Sequence, residues 1–135
     1  MAFSKTFEHI IPFTEVYEHG WLPLVKVKFI EPDMELSLIF DTAATTIMLR
    51  PELEEFFPPS QPTEVNVAAR KEAAEATETR SAVEFLGTTI DCRVAFVDLG
   101  KPNPLFSGLF GRECFSPFGF GFWQKGHELY VTLTP

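Results

Sequence analysis

The sequence predicts one all-β domain over residues 1–135, with one or two short helices, and three observations carry this prediction. Segments that alternate apolar and polar residues, such as 22–30 and 88–99, are typical of strands with one face in water. Clusters of glycine, proline and acidic residues separate such segments, as turns do. Hydrophobic residues make up 45% of the chain and include 15 phenylalanines, which suits a β-rich core and excludes a disordered chain.

The charge and the length of the apolar runs argue against several classes of partner. With a formal charge of −8 and no basic stripe, the chain is not expected to bind nucleic acid or an anionic membrane. No apolar run approaches the roughly 18 to 20 residues of a membrane span. The N-terminal residues carry charges and a proline where a signal peptide would be apolar, so a cytoplasmic protein is expected.

The two cysteines, Cys92 and Cys114, are far apart in the sequence and have no histidine pair near them. Their spacing is not that of a zinc site. We therefore expect two buried free thiols rather than a metal site or a disulfide, and we expect no metal and no cofactor.

The first half of the chain is expected to form strands around one short helix. Residues 31–33, Glu-Pro-Asp, supply the turn of a hairpin whose second strand delivers Asp41. Pro51 and the acids after it suit the first turn of a helix. The expected strands are 3–17, 22–30, 34–40, 45–49 and 64–69, and the expected helix is 51–56.

Residues 68–81 permit two interpretations. Their alanine, glutamate and lysine content favours an exposed helix. The strands expected on both sides favour a β-hairpin, because tertiary context overrides helix propensity, and we favour the hairpin. A solvated charged loop is compatible with either. Beyond it, further strands are expected at 83–86, 88–99, 105–111, 118–123 and 128–133, with a turn-rich loop at 100–104 and a short helix at 112–116.

Asp41 stands in an unusual place for an acid. The strand-forming run 36–40 ends in Asp41, and another apolar segment begins at Thr46. A carboxylate between two apolar segments is expected to be partly shielded from water, where an unpaired charge is costly. A simpler interpretation is that Asp41 and Thr42 cap a turn, since both residue types favour turns.

Two segments resemble signatures of the aspartic proteases of the retroviral type, the retropepsin-like proteases. Residues 38–44, Leu-Ile-Phe-Asp-Thr-Ala-Ala, are similar to the catalytic turn of that family. Residues 109–113, Leu-Phe-Gly-Arg-Glu, are similar to the strand that crosses behind the turn and leads into a short helix. The resemblance covers roughly residues 22–133. It implies a closed acid-protease-type β-barrel that forms a homodimer, with the active site on the two-fold axis.

The resemblance also assigns roles to the residues of the turn. Asp41 of each subunit is the catalytic acid, and the Thr42 hydroxyl bonds across the axis to hold the two turns in register. Ala44 lines the floor of the cleft. Ala43 stands where the family usually has glycine, which admits backbone close to the carboxylates, and alanine is unstrained there if its φ is negative.

Three further assignments follow from the same resemblance. Gly111 and Arg112 are structural residues near the dimer interface. The family often has an acid four residues past the catalytic aspartate, and this chain has Thr45 there. The partner of Arg112 is therefore unassigned, and the alternative is that Arg112 is a surface arginine. Residues 68–81 form the flap that closes over the cleft.

The implied function is an aspartic endopeptidase that binds a peptide as an extended strand and hydrolyses it with a water activated by the Asp41 pair. A first alternative is a non-catalytic dimer of the same fold that binds a peptide or protein partner. A second is an unrelated β-barrel that binds a small apolar ligand among its phenylalanines. An acid on a dimer axis would have no purpose in that second alternative.

Overall fold

The computed structural model describes residues 7–65 and 74–133 of the chain. Within these ranges the protein is mostly β, which confirms the predicted class. Two short 3₁₀ helices lie at Pro51–Phe56 and Arg112–Cys114. The strands are β1 (His9–Pro12), β2 (Thr14–Val16), β3 (Gly20–Leu22), β4 (Leu24–Phe29), β5 (Met34–Phe40), β6 (Ile47–Leu49), β7 (Gln61–Val65), β8 (Ala74–Phe85), β9 (Thr88–Phe96), β10 (Gly108–Phe110), β11 (Phe118–Trp123) and β12 (Glu128–Leu133).

The largest sheet has seven strands in the order β4-β5-β10-β6-β9-β8-β7. β4 also pairs with β8, through Lys28 opposite Glu84 and Phe29 opposite Val83. The series of pairings therefore returns to the strand where it began, and β7 lies outside it on β8. Two smaller sheets, β1-β12-β11 and β2-β3, complete the described part of the chain.

Strand alternation places the core on one face of the large sheet. In β4, Val25, Val27 and Phe29 are buried, whereas Lys26 and Lys28 are exposed, as predicted. Burial of such apolar side chains is the main stabilising contribution to a core of this kind. The phenylalanines form its centre, where ring contacts join Phe40, Phe85, Phe96, Phe110, Phe115 and Phe118 with their neighbours.

Residues 74–81, the described part of the ambiguous segment, form the first part of strand β8. β8 pairs with β7 from Val65 opposite Ala74 to Gln61 opposite Glu78, and with β9 on its other side. The backbone groups on both edges of β8 are thereby hydrogen-bonded. A helix in this place would leave the facing edges of β7 and β9 unpaired. Residues 68–73 of the predicted flap lie outside the described residues.

Several predicted boundaries differ from the observed ones. The strand expected at 64–69 begins earlier, at Gln61, because Pro62 is accommodated in β7, the outermost strand of the sheet. The expected helix at 112–116 is a single 3₁₀ turn that ends at Cys114. No helix among the described residues is long and apolar enough to cross a membrane.

Cys92 and Cys114 are free and buried, which confirms that prediction. Their sulfur atoms lie 2.7 Å apart and link β9 to the second 3₁₀ helix. The hydrogen bond with Cys92 and the burial of the side chain raise the pKa of the Cys114 thiol. Because the thiolate is the reactive form, the Cys114 thiol is expected to be inert in the folded chain.

Candidate active site

The turn after β5 contains Asp41 and is held in place by a strand from much later in the chain. β10 lies between β5, to which it is parallel, and β6, to which it is antiparallel. The Asp41 amide donates a hydrogen bond to the Phe110 carbonyl at 3.1 Å. Since β5 leads into the turn and β6 leads out of it, β10 fixes both ends of what we call the Asp41 turn, residues 41–46.

Hydrogen bonds inside the Asp41 turn orient its carboxylate. The Ala43 amide donates to Asp41 Oδ1 at 2.9 Å, and the Ala44 amide donates to the Asp41 carbonyl at 3.3 Å. The first is the turn-capping contact of the simpler interpretation. It uses one carboxylate oxygen, and Oδ2 makes no hydrogen bond with the described residues.

The alanine at position 43 is accommodated without backbone strain. Four non-glycine residues of the described chain have positive φ, and Ala43 is not one of them. Its amide makes the same hydrogen bond that a glycine amide would make. The side chain that distinguishes this turn from the family pattern therefore leaves the orientation of the carboxylate intact.

The residues of the turn differ in exposure. Asp41 is partly buried, Thr42 and Ala43 are exposed, and Ala44 is buried. The Thr42 hydroxyl makes no hydrogen bond within the described part of the chain. The turn is thus open to solvent at Thr42 and Ala43.

Two glycines allow β10 to pass directly behind the turn. A Cβ on Gly111 would lie 2.2 Å from the Thr46 carbonyl oxygen, and a Cβ on Gly108 would lie 2.0 Å from the Met48 carbonyl oxygen. No side chain fits at such distances from backbone atoms. Gly111 of the second signature is therefore required for steric reasons. The same holds for Gly108, which was not identified from the sequence.

Arg112 and Glu113 attach the end of β10 to the turn. Their amides donate to the carbonyls of Ala44 and Thr45, each at 2.9 Å. Arg112 Nη2 also donates to the Thr45 hydroxyl at 3.3 Å, so the unassigned partner of this arginine is Thr45.

Glu113 makes a second connection, to β9. Its carboxylate accepts hydrogen bonds from the Arg93 amide and from Arg93 Nε, both at 2.8 Å. The hydrogen bond and the charge of Glu113 raise the pKa of the Arg93 guanidinium. The second signature is therefore connected both to the Asp41 turn and to β9.

A cleft of about 790 Å³ opens beside the Asp41 turn. Mostly apolar side chains with a few polar groups line it, which is typical of a binding site. Ala44 is among the lining residues, as the resemblance implies. The apolar members are Val16, Ile39, Ala43, Ala44, Met48, Leu99, Pro102, Pro104, Leu105, Phe106 and Leu109, and the ionisable ones are Tyr17, Glu18, His19, Asp41, Arg50 and Lys101.

Arg50 holds the loop that forms one side of the cleft. It is only 9% exposed, and its Nη1 and Nη2 donate to the carbonyls of Gly100 and Lys101 at 2.9 and 3.0 Å. Its Nε is buried without a hydrogen-bond partner among the described residues. Arg50 thereby fixes the start of the loop that continues through the lining residues Leu105 and Phe106.

Sequence reasoning found the turn but missed most of the cleft. Arg50, the loop at 100–106 and the segment 16–19 were not identified as site residues. The one available signal was the proline-rich loop directly before the second signature, because loops next to a rigid site often carry binding residues. No group of three or more histidine, cysteine or acidic residues in the described chain could hold a metal ion.

The fold has known counterparts among solved structures. A structure of EIAV protease complexed with the inhibitor HBY-793 aligns with a TM-score of 0.54 and 17% sequence identity. The alignment covers 75% of this chain and 91% of that chain. The chain therefore has a retropepsin-like fold, and at this identity the likeness shows the fold alone. No family model and no curated protein matches the sequence.

Proposed function

We propose that the chain is one subunit of a homodimeric aspartic endopeptidase. The observation that carries the proposal is the Asp41 turn, which presents one oriented carboxylate at the side of a large cleft in a retropepsin-like fold. Peptide hydrolysis by this chemistry needs two facing carboxylates. Because the sequence has no internal repeat, the second carboxylate is Asp41 of a second copy, related to the first by a two-fold axis.

The proposed mechanism uses one water between the two Asp41 carboxylates. Two like charges at close range cannot both ionise, so the pair holds one shared proton. The water oxygen attacks the peptide carbonyl while the ionised carboxylate takes a proton from that water. The protonated carboxyl group polarises the carbonyl. A proton then passes to the leaving nitrogen as the C–N bond breaks.

Three features of the turn support this proposal. The Thr42 hydroxyl is exposed and has no hydrogen bond among the described residues, so it is available to bond across the axis. Ala43 has no positive φ and keeps its hydrogen bond to the carboxylate. Gly111 lets β10 pass close enough to hold the turn rigid.

The substrate in this proposal is a peptide bound as an extended strand. Asp41, Ala43 and Ala44 of the turn line the cleft, and its apolar lining suits apolar peptide side chains. The paired strands β7 and β8 supply the flap that closes over the bound peptide in this proposal. The return of the strand pairings to β4 supports a closed barrel as the frame of the site.

The test is cleavage of a mixed peptide library by the full chain from acidic to neutral pH, at concentrations where sedimentation shows a dimer. Asp41→Asn is expected to abolish cleavage and leave the fold intact. Asp33→Asn is the matched control, because Asp33 is exposed on the β4–β5 turn and asparagine tolerates its positive φ.

A second control addresses the other acid in the cleft. Glu18→Gln is expected to retain cleavage, since the proposed pair consists of two Asp41 residues. Loss of cleavage in Glu18→Gln, in a folded protein, would point to an acid pair within one chain instead. A folded dimer that cleaves nothing, even after Ala43→Gly, would leave a peptide-binding protein without catalysis.

A further inference from the structure

The cleft beside the Asp41 turn has two neighbouring cationic residues in its lining, Arg50 and Lys101. The Arg50 guanidinium donates a hydrogen bond to the Lys101 carbonyl at 3.0 Å, so the two residues are in direct contact. Arg50 directly follows β6, and Lys101 lies in the loop that leads to β10. Because β6 and β10 also hold the Asp41 turn, the two cations belong to the frame of the candidate active site.

The charge of Arg50 is buried without an opposite charge beside it. The side chain is in a residue that is only 9% exposed, and the ion pairs of the described residues involve neither Arg50 nor Lys101. The two carbonyls that Arg50 contacts are neutral, and its buried Nε has no hydrogen-bond partner among the described residues. An unpaired buried charge is costly, and an unsatisfied buried donor calls for a partner. The guanidinium therefore retains both charge and N–H groups for an anion.

The surroundings of the two cations strengthen this attraction. Met48 and Leu99 line the same cleft, and apolar walls make a charge-assisted hydrogen bond stronger than it is in water. The chain as a whole has a formal charge of −8 and repels acidic molecules. An acidic ligand thus meets a favourable charge at this wall of the cleft, in a protein that is otherwise acidic.

We propose that Arg50 and Lys101 select peptides that place an acidic side chain, aspartate or glutamate, in the cleft. The choice of a peptide rests on the proposed function, in which an extended peptide lies beside the Asp41 turn. The planar guanidinium matches the geometry of a carboxylate, and the exposed Lys101 ammonium adds a second positive charge. The carboxylate belongs to a side chain because the substrate of an endopeptidase continues on both sides of the cleaved bond.

The first test compares peptides that differ in a single group. Peptides of the library that the full chain cleaves, or that Asp41→Asn binds, are made in matched pairs with glutamate or glutamine at one position at a time. Their ends are acetylated and amidated, and the assays are run at about pH 6, where glutamate is ionised. At one position the glutamate peptide is expected to have a kcat/KM about tenfold higher, because only the carboxylate pairs with the two cations.

The second test removes the exposed cation. Lys101→Met leaves the backbone carbonyl that Arg50 contacts in place, and it is expected to lower the preference for glutamate over glutamine by about threefold. Lys101→Glu is expected to lower it further, because a like charge then faces the peptide carboxylate. Lys26→Met is the matched control, since Lys26 is exposed on β4 and does not line the cleft. It is expected to leave the preference unchanged.

The third test addresses the buried cation. Arg50 also holds the loop at Gly100 and Lys101, so its replacement affects structure as well as charge. Arg50→Lys keeps the charge and is expected to retain part of the glutamate preference, whereas Arg50→Met is expected to abolish it. A purely structural role would lower kcat/KM equally for both peptides of a pair. Circular dichroism checks the fold of each variant.

The outcomes separate this inference from the proposed function. Cleavage that depends on Asp41 but treats glutamate and glutamine alike at every position would overturn the inference and leave the proposed function standing. Glutamate-selective binding that Lys101→Met weakens, measured by fluorescence anisotropy without any cleavage, would do the reverse. A glutamate preference that persists unchanged in folded Lys101→Glu and Arg50→Met would overturn the roles of these residues. A chain that neither cleaves nor binds any peptide would overturn both proposals.

Discussion

At the scale of single residues, the Asp41 turn depends on close backbone contacts and short hydrogen-bonding groups. Gly111 faces the Thr46 backbone, Ala43 contributes an amide rather than a side chain, and Arg112 reaches a hydroxyl where the family pattern has an acid. Each of these contacts involves the backbone or a short side chain. Substitutions here are expected to act through geometry more than through lost apolar burial.

Gly111→Ala is expected to lower the free energy of unfolding by about 3 kcal/mol, because overpacking against backbone forces the strand to shift. Urea denaturation measures the change. Gly121→Ala is the control, since a Cβ there would meet the outer end of the Phe7 ring at 3.3 Å. The two variants are compared at a dilution that leaves both monomeric, and equal effects would contradict the close approach at Gly111.

Thr45→Asp is expected to stabilise the chain by up to about 1 kcal/mol, because it gives the exposed Arg112 a carboxylate in place of a hydroxyl. The effect is kept small by solvent screening. Thermal unfolding of Thr45→Asp, Arg112→Gln and the double variant isolates the pair. If Thr45→Asp still raises the unfolding temperature when Arg112 is replaced by glutamine, the new carboxylate acts alone. That result would contradict a stabilising contact with Arg112.

At the scale of elements, β8 shows how sheet pairing overrides local propensity. Its N-terminal half is rich in alanine and glutamate, yet β7 and β9 flank it and fix it as a strand. The first 3₁₀ helix also contacts β8. The Glu54 carboxylate accepts hydrogen bonds from the Ser60 hydroxyl and, at 2.7 Å, from the Thr77 hydroxyl.

These bonds give the connection a pH dependence. They hold the pKa of Glu54 below its ordinary value of 4.5, with Ser60 the larger cause. The contribution to stability is therefore fully present above about pH 4.5 and is lost as the pH falls through the lowered pKa of the folded chain.

Glu54→Gln is expected to flatten the fall in stability over that acidic range, by less than about 1 kcal/mol because the group is near the surface. Urea denaturation at a series of acidic pH values measures it. Glu55→Gln, on an exposed position of the same helix, is the matched control. A profile of Glu54→Gln that is as steep as that of the control would contradict the role of the two hydroxyls.

At the scale of the whole molecule, the proposed dimer joins two acidic chains. Each copy carries a formal charge of −8, so association works against a long-range repulsion that salt screens. The proposed site needs two copies, so activity per chain is expected to fall on dilution below the dissociation constant.

Raising the salt concentration from about 0.05 to 0.5 M is expected to tighten the dimer by about threefold to tenfold, because the screening length becomes much shorter than the distance between the two charged surfaces. Sedimentation at several salt concentrations measures this. A dimer that weakens with salt would instead indicate ion pairs across the interface.

Local pattern alone predicted a large part of the fold and one part of the candidate site. The alternation of Val25, Lys26, Val27 and Lys28 encodes a strand with one wet face because side chains in a strand alternate between its two faces. The place of Asp41 at the end of a strand follows in the same way, and the two short signatures pointed to the turn and to Gly111.

Tertiary structure decided the rest of the fold and of the candidate site, because the pairing of two distant segments cannot be predicted from the local pattern of either one. The insertion of β10 between β5 and β6 brings Arg112 to Thr45 across a separation of 67 residues. The choice of strand over helix for Ala74–Ser81 depends on neighbours that a local pattern cannot supply. The cleft formed with Arg50 and the loop at 100–106 exists because of where the sheets place those segments. The sequence by itself determined most of the strands and the place of the acid, and the packing of the strands decided what surrounds that acid.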